Sequence, residues 1–401
     1  MNAIGTMERM RAWRGPALLS HGFRPFSLGG AIWAAVAMTL WLAMLAGALS
    51  LPTRLDPVAW HAHEFLYGYL GAIIAGFLLT AVPNWTGRLP IAGWALGGLF
   101  LSWLLGRAAI ATSALWPAPV VAAVDLSFPV LFALIIAREI VAGKNWRNLI
   151  VLALFSALVA GNGVFHWEAA RGDYAAQGYG LRIGLATAIM LIALIGGRIV
   201  PSFTRNWLVK RGAGRLPTPP MARFDKAALL TLVAALCIWV PWPGSSAAGI
   251  ALVLAGAAHA ARLLRWAGVR TGAEPLVWVL HAGYAFVPVG AIVLGLSNLS
   301  ADRAGAAAAQ HIWMAGGIGL MTLAVMTRAT LGHTGRTLSA GFGTTAIYLL
   351  VIAATLARLM AGALPDLASA FHLASGLAWI AAFAGFALLY GPLFIAPRPG
   401  R

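Results

Sequence analysis

The stretch WHAHEFLYGYLGAIIAGFLLTAVPNWTGR (Trp60–Arg88) decides the fold. No charged residue lies between Glu64 and Arg88, a run of 23 residues. A helix rises about 1.5 Å per residue, so roughly 20 residues cross a hydrocarbon layer about 30 Å thick. The run is long enough to cross, and Arg88 marks its far end. Its near end is anomalous. His61, His63 and Glu64 stand where the helix enters the apolar layer, in a chain of 401 residues with only 9 histidines and 10% charged residues.

The pattern recurs along the chain. Hydrophobic residues make up 61% of the sequence, and the mean hydropathy is +0.83. Soluble domains carry about 25% charged residues. The composition therefore predicts an all-α integral membrane protein with about twelve transmembrane helices, near 26–50, 61–82, 91–112, 117–140, 147–166, 181–200, 225–243, 246–267, 274–296, 305–327, 341–361 and 367–393. Residues 1–25 read as a cytoplasmic N-terminal segment and 26–396 as a single polytopic domain. Met1–Leu19 has arginines but no apolar core, so the first span is expected to act as its own insertion signal. The single Cys237 excludes an internal disulfide and reads as a small buried hydrophobe.

The net charge of +17 would suit nucleic-acid binding if the basic residues were clustered on a soluble domain. They recur instead in alternate loops. One side holds Arg9, Arg11, Arg14 and Arg24, then Arg88, Arg138 with Lys144 and Arg147, and a long loop from Arg198 to Lys226. Arg262, Arg265 and Arg270, then Arg328 and Arg336, and finally Arg398 and Arg401 continue the series. The opposite loops carry mixed pairs: Arg54 with Asp56, Arg171 with Asp173, Arg303 with Asp302. This is the positive-inside pattern, which places both termini in the cytoplasm. The expected macromolecular environment is membrane lipid, not nucleic acid.

On this topology His61, His63, His166, His311 and His372 lie near the outer ends of spans, and His21 and His333 at the inner face. His259 and His281 lie in the inner parts of spans eight and nine. Ionisable groups inside a membrane face the protein interior or a watery cavity, and neutral imidazole is a common metal ligand. A lone histidine also serves simply as a hydrogen-bonding group between helices, the reading favoured for His166, His259 and His372. Residues two apart on a helix project about 200° apart, so His61 and His63 either straddle a helix start or serve different partners. His61 and Glu64, three apart, share a face, where a carboxylate can orient a ligating imidazole.

Spans two and ten echo each other. HEFLYGYLG (His63–Gly71) and HIWMAGGIG (His311–Gly319) align without a gap, and each helix ends in TGR, at Thr86–Arg88 and Thr334–Arg336. Glycines five and eight residues after each histidine share a face and would admit a helix or a flat ligand. Span six carries a weaker copy, VPSFTR (Val200–Arg205) against VPNWTG (Val82–Gly87), with Leu181 at the histidine position. Spans two, six and ten are four helices apart, which points to three related four-helix units. Chance matching among 46 glycines is the competing account. If the echo is real, His63 and His311 are at equal depth, as two imidazoles clamping a haem would be. The same pair, with His61 or His372, would also suit copper. Met314 shares the face of His311 and reads as packing.

At the inner side the motifs HGFRPF (His21–Phe26), GRIVPSFTRN (Gly197–Asn206), LHAGY (Leu280–Tyr284) and TRATLGHTGR (Thr327–Arg336) gather histidines and arginines. Singly, such arginines are topological anchors. Together they can bind carboxylates bidentately. His281 and Tyr284 share a helix face, so the phenol can orient the imidazole or relay a proton.

With WHAHEF, GFLLTAVPNWTGR and AVMTRATLGHTGR, these motifs resemble the NnrS family. The resemblance runs from span one to span ten and is weak over spans three, four, seven, eleven and twelve. It implies a protein of about twelve spans in a bacterial inner membrane, containing haem, expected to be b-type, and copper, and acting on nitric oxide in denitrification or nitrosative stress. On that reading the metal-ligand candidates are His63 and His311 with His61 nearby, and a second group of His21, His281 and His333. Arg24, Arg88, Arg205 and Arg336 are candidates for the haem propionates, and Glu64 and Tyr284 for proton delivery. Nitric oxide reduction also implies a quinol or cytochrome electron donor. A transporter of a metal, haem or small molecule, and a haem-based nitric oxide sensor or buffer without turnover, are the alternatives. His166, His259 and His372 fall outside the motifs, which lowers them as ligands.

Overall fold

The structure is a computed structural model that describes residues 13–88, 90–212, 214–300 and 305–397. The expectations for Arg9, Arg11, Asp302, Arg303, Arg398 and Arg401 lie outside the described residues. Among those described, every regular element is helical. The principal helices are α1 (Phe23–Leu45), α2 (Pro57–Thr86), α3 (Trp94–Ala111), α4 (Ala118–Ala142), α5 (Trp146–Ala170) and α6 (Tyr179–Val209). They continue with α7 (Arg223–Trp239), α8 (Ser246–Leu264), α9 (Pro275–Leu299), α10 (Ala306–His333), α11 (Phe342–Ala363) and α12 (Pro365–Ile395). Eleven of these are long and apolar enough to cross a membrane, and α7 has 17 residues. The chain is an all-α integral membrane protein.

Local chemistry sets the helix ends near the histidines. Asp56 caps α2, its carboxylate accepting from the amides of Val58 and Ala59, and Pro57 occupies the first turn where no amide is needed. The helix therefore starts four residues before His61, and both histidines lie on it. Gly87 closes α2 in the left-handed region at φ 68°, which a glycine adopts without strain.

The helices α2, α6 and α10 each contain a π-helical segment, at Glu64–Tyr69, Ile192–Gly196 and Ile312–Leu320. In α2 and α10 the π-segment begins at the residue after the aligned histidine, so the echo in sequence is also an echo in backbone. The α6 segment lies further along its helix. These three helices are also the most enclosed by protein, with 72%, 72% and 78% of their apolar windows buried, against 28–56% in the other candidate spans. Both features favour the reading of three related units over a chance match of glycines.

The glycines of the echo receive bulky side chains. A Cβ at Gly68 would come within 2.9 Å of Glu64 Oε2 and closer to Arg107 Nη1; one at Gly316 would meet Phe286, and one at Gly319 would meet Trp379. Gly71 has no such neighbour.

By contacts the chain divides into two compact units. Unit 1 is 1–184, 329–337 and 383–401, and unit 2 is 185–328 and 338–382. Buried aromatic residues fill each: Phe26, Trp60, Trp103, Phe132 and Phe155 in unit 1, and Trp239, Trp266, Tyr284, Trp313 and Tyr348 in unit 2. Large apolar side chains such as Leu105, Leu134 and Leu254 point outward, where lipid would cover them. Cys237, expected to be buried, is exposed among them on α7. It occupies the outward stripe of a helix whose inward stripe is Leu229, Leu232 and Leu236.

Candidate functional site: a buried histidine–carboxylate cluster

Four helices of unit 1 converge on one cluster. α2 brings His63 and Glu64, α3 Arg107, α4 Asp125, and α5 Asn162 and His166. His63 and Glu64 are fully buried, and Asp125 is 1% exposed. Charges so deep are costly unless paired, and here the pairing is extensive. The Arg107 guanidinium donates to Glu64 Oε1 at 2.6 Å with one nitrogen and to Asp125 Oδ1 with another. His63 sits between the same two carboxylates, its Nδ1 3.1 Å from Glu64 Oε1 and its Nε2 3.3 Å from Asp125 Oδ2. Asn162 donates to Asp125 Oδ2 at 2.8 Å, and its amide oxygen lies 3.0 Å from His63 Nε2. His166 Nε2 reaches Asp125 Oδ2 at 3.0 Å, with its side chain 12% exposed.

One nitrogen of His63, one of His166 and one oxygen of Asp125 lie within 4.8 Å of one another. A cavity of about 40 Å³ adjoins them, lined by His63, His166, Phe165, Ile110 and Val121 among others. Roughly 10–15 Å³ of such space holds one water, so this cavity has room for a small molecule such as a diatomic.

His63 and Glu64 lie at the centre of this cluster, and His61 is not among its three possible metal donors. Its ring stacks on Trp41 at 4.1 Å and packs near Phe65 at 4.6 Å. Glu64 pairs with His63 and Arg107. The two histidines serve different partners, one of the two outcomes their spacing allowed. His166, read as a lone polar group, belongs to the cluster. Arg107 and Asp125 were missed. Their signal was a single charge inside an otherwise apolar run, LLGRAAI in α3 and AAVDLSF in α4.

The inner-side candidates separate. Arg24 Nη1 donates to the carbonyls of Phe394 and Ala396 at 2.8 and 2.9 Å. It ties down the end of α12. Arg88 Nε pairs with Glu139 at 2.6 Å, while Arg205 and Arg336 are exposed. His21 and His333 approach the same ring, Phe23, with centroids at 6.0 and 5.2 Å.

Unit 2 holds a second buried network. Arg262 Nε donates to Asp225 at 2.6 Å, and its Nη1 donates to the carbonyl of Ala193 in the α6 π-segment at 2.9 Å and to the Tyr284 hydroxyl at 2.8 Å. That hydroxyl lies 2.7 Å from His259 Nδ1. Tyr284 was expected beside His281, but it serves His259 and Arg262. His281 Nε2 is bonded to Thr204 Oγ1 at 2.7 Å instead. His311 donates from Nδ1 to the carbonyl of Ala307 at 2.7 Å, and Arg358 and His372 are near enough to act on it electrostatically. His63 and His311 belong to different units, and each has protein partners within its own.

No curated protein matches this chain. The NnrS protein family matches residues 17–398, nearly its whole length. The motifs that run from HGFRPF to AVMTRATLGHTGR and the helical membrane architecture agree with that match, and the chain belongs to the NnrS family.

Proposed function

We propose that this multi-pass protein acts on nitric oxide in the pocket of unit 1, beside His63 and His166, in the inner membrane of a bacterium. The observation that carries the reading is the cavity of about 40 Å³ against the buried His63–Asp125–His166 cluster. Nitric oxide is a weakly polar diatomic that dissolves in lipid. A small pocket with apolar side chains and a polar end, set among membrane helices, suits it. A metal held at the cluster would bind nitric oxide and exchange electrons with it. The chain's own residues do the rest. Glu64 orients His63 from Nδ1, Arg107 holds both carboxylates in place, and Phe165, Ile110 and Val121 keep the space dry. His166, the most exposed member of the cluster, is the group through which protons from water reach it.

In the reductive form of this reading, two nitric oxide molecules take up two protons and two electrons and leave as nitrous oxide and water. A quinol or a cytochrome supplies the electrons. Binding without turnover, as in a sensor, is the second reading, favoured by the ion pairs of Arg107 with Glu64 and Asp125 that already hold the buried charges.

Filling the pocket tests the proposal. Val121 is 4% exposed and lines the cavity. Val121→Phe should lower nitric oxide uptake at least tenfold, measured with an electrode on protein in nanodiscs supplied with a reduced donor. Overpacking should cost about 1–3 kcal/mol of stability, which a melting curve follows separately. Uptake unchanged in a folded Val121→Phe protein would remove this pocket from the reaction. Nitric oxide bound but never consumed by the wild type would leave the sensor reading.

A further inference from the structure

We infer that the cluster is a mononuclear site for a first-row transition ion, held by His63 Nε2, His166 Nε2 and Asp125 Oδ2, with a fourth position open to the cavity. This rests on the same pocket as the proposed function, but makes a separate claim about what occupies it. The sequence motifs alone favoured His61 or His311 as companions of His63; the geometry selects residues of α4 and α5 instead.

The donor set is the first argument. Two imidazoles and one carboxylate suit iron(II), copper(II) or zinc, and the two-histidine, one-carboxylate set is most typical of non-haem iron(II). The spacing is the second. Ions of this class bind such donors at about 2.0–2.2 Å, so neighbouring donors around a tetrahedral site stand roughly 3.3–3.6 Å apart. Asp125 Oδ2 is 3.3 Å from His63 Nε2 and 3.0 Å from His166 Nε2, and all three donors lie within 4.8 Å of one another.

The surroundings of His63 are the third argument. Glu64 Oε1 engages Nδ1 at 3.1 Å. A carboxylate behind a ring nitrogen keeps the proton on that nitrogen and directs the other at a metal. Arg107 joins Glu64 to Asp125, so the positioning carboxylate and the ligating one are held by a single side chain. Binding would release the proton that His63 Nε2 shares with Asn162 and Asp125 in the ion's absence. Three protein donors and an adjoining cavity are the arrangement of an ion that accepts a substrate, whereas a structural ion has four protein donors.

The alternative is a closed ion network in which a protonated His63 and Arg107 balance Glu64 and Asp125, with no metal at all. Full-length protein, stripped with a chelator and then given iron(II) or copper(II) alone under anaerobic conditions, distinguishes the two. The expected result is about one tightly bound ion per chain by elemental analysis. His166→Ala should lower its affinity at least tenfold, while His61→Ala and His311→Ala leave it unchanged. His166 is the least buried ligand, so its removal leaves the Arg107 pairing intact. Glu64→Gln, a positioning change, should keep the ion but weaken it about 10–100-fold. The paramagnetic resonance signal of the loaded iron or copper, with and without nitric oxide, should change in His166→Ala. No retained ion, or equal retention in folded His166→Ala and His63→Gln proteins, would establish the closed network and overturn the site. A bound ion whose signal is indifferent to nitric oxide would keep the site and refute the proposed function.

Discussion

At the scale of residues, the cluster depends on a glycine as much as on its charges. Gly68 leaves the room that Arg107 needs to reach Glu64 across α2 and α3. A methyl group there would overlap the guanidinium and crowd Glu64 Oε2. Gly68→Ala should therefore destabilise the protein by about 1–3 kcal/mol, read as a lower melting temperature, and reduce metal retention with it. Gly71→Ala, one turn away with no atom near its Cβ position, is the control and should change neither. Equal behaviour of the two variants would refute the steric role of Gly68. Charge placement follows the same economy. Arg107 is the only charged residue of α3, and it meets two carboxylates from different helices. That is how a buried arginine avoids the large cost of an unpaired charge in an apolar medium.

At the scale of elements, the π-segment of α2 decides which side chains meet. A π-turn widens the helix by one residue and re-aims what precedes it. It begins at Glu64, so it sets how the turn that carries His61, His63 and Glu64 is aimed relative to the rest of α2; Glu64 meets His63 and Arg107, and His61 stacks on Trp41. Deleting Phe65 would return the segment to regular α-helix and rotate the preceding turn by about 100° relative to the rest of α2. The chain should still insert and still show full helical content by circular dichroism. It should lose metal retention and nitric oxide uptake together. Retention of both would mean that the register set by the π-segment is irrelevant to the site. The matching segment after His311 in α10 makes the same deletion there the natural comparison, with no loss of metal expected at the unit 1 cluster.

At the scale of the whole molecule, alternation of charge between loops predicts the orientation. Lys210 follows α6 in the basic loop, and Gln177 precedes α6 in the sparsely charged one; both are exposed. With the exposed Cys237 replaced by alanine, Lys210→Cys should react with a membrane-impermeant thiol reagent only from the cytoplasmic side. Gln177→Cys should react only from the opposite side. Labelling of both from one side, or the reverse pattern, would contradict the positive-inside assignment. The His63 cluster lies on α2 before its long apolar run, so this orientation also sets the side from which protons reach His166.

The class of fold was legible in the sequence because the bilayer imposes its length rule locally. Each apolar run of about 20 residues declares a span with no knowledge of its neighbours, and each of the twelve expected stretches falls largely within a helix. His63 and Glu64 were legible for a related reason, since ionisable groups at the mouth of a span stand out against apolar surroundings. The echo of α2 and α10 was readable because a repeat is a property of the chain. What only the tertiary structure decided is which helices bring their isolated polar groups together. Arg107, Asp125 and the pair Asn162 and His166 come from three different spans, with Arg107 43 positions from Glu64 and Asn162 99 positions from His63. Nothing in one sequence relates such positions, because pairing between helices is set by packing and not by local spacing. Tyr284 and Arg24 show the same limit from the other side. The motif placed Tyr284 beside His281, but the fold gave it to His259 and Arg262, and Arg24 meets the carbonyls that end α12. A buried hydrogen-bonding group takes whichever partner the packed helices present to it.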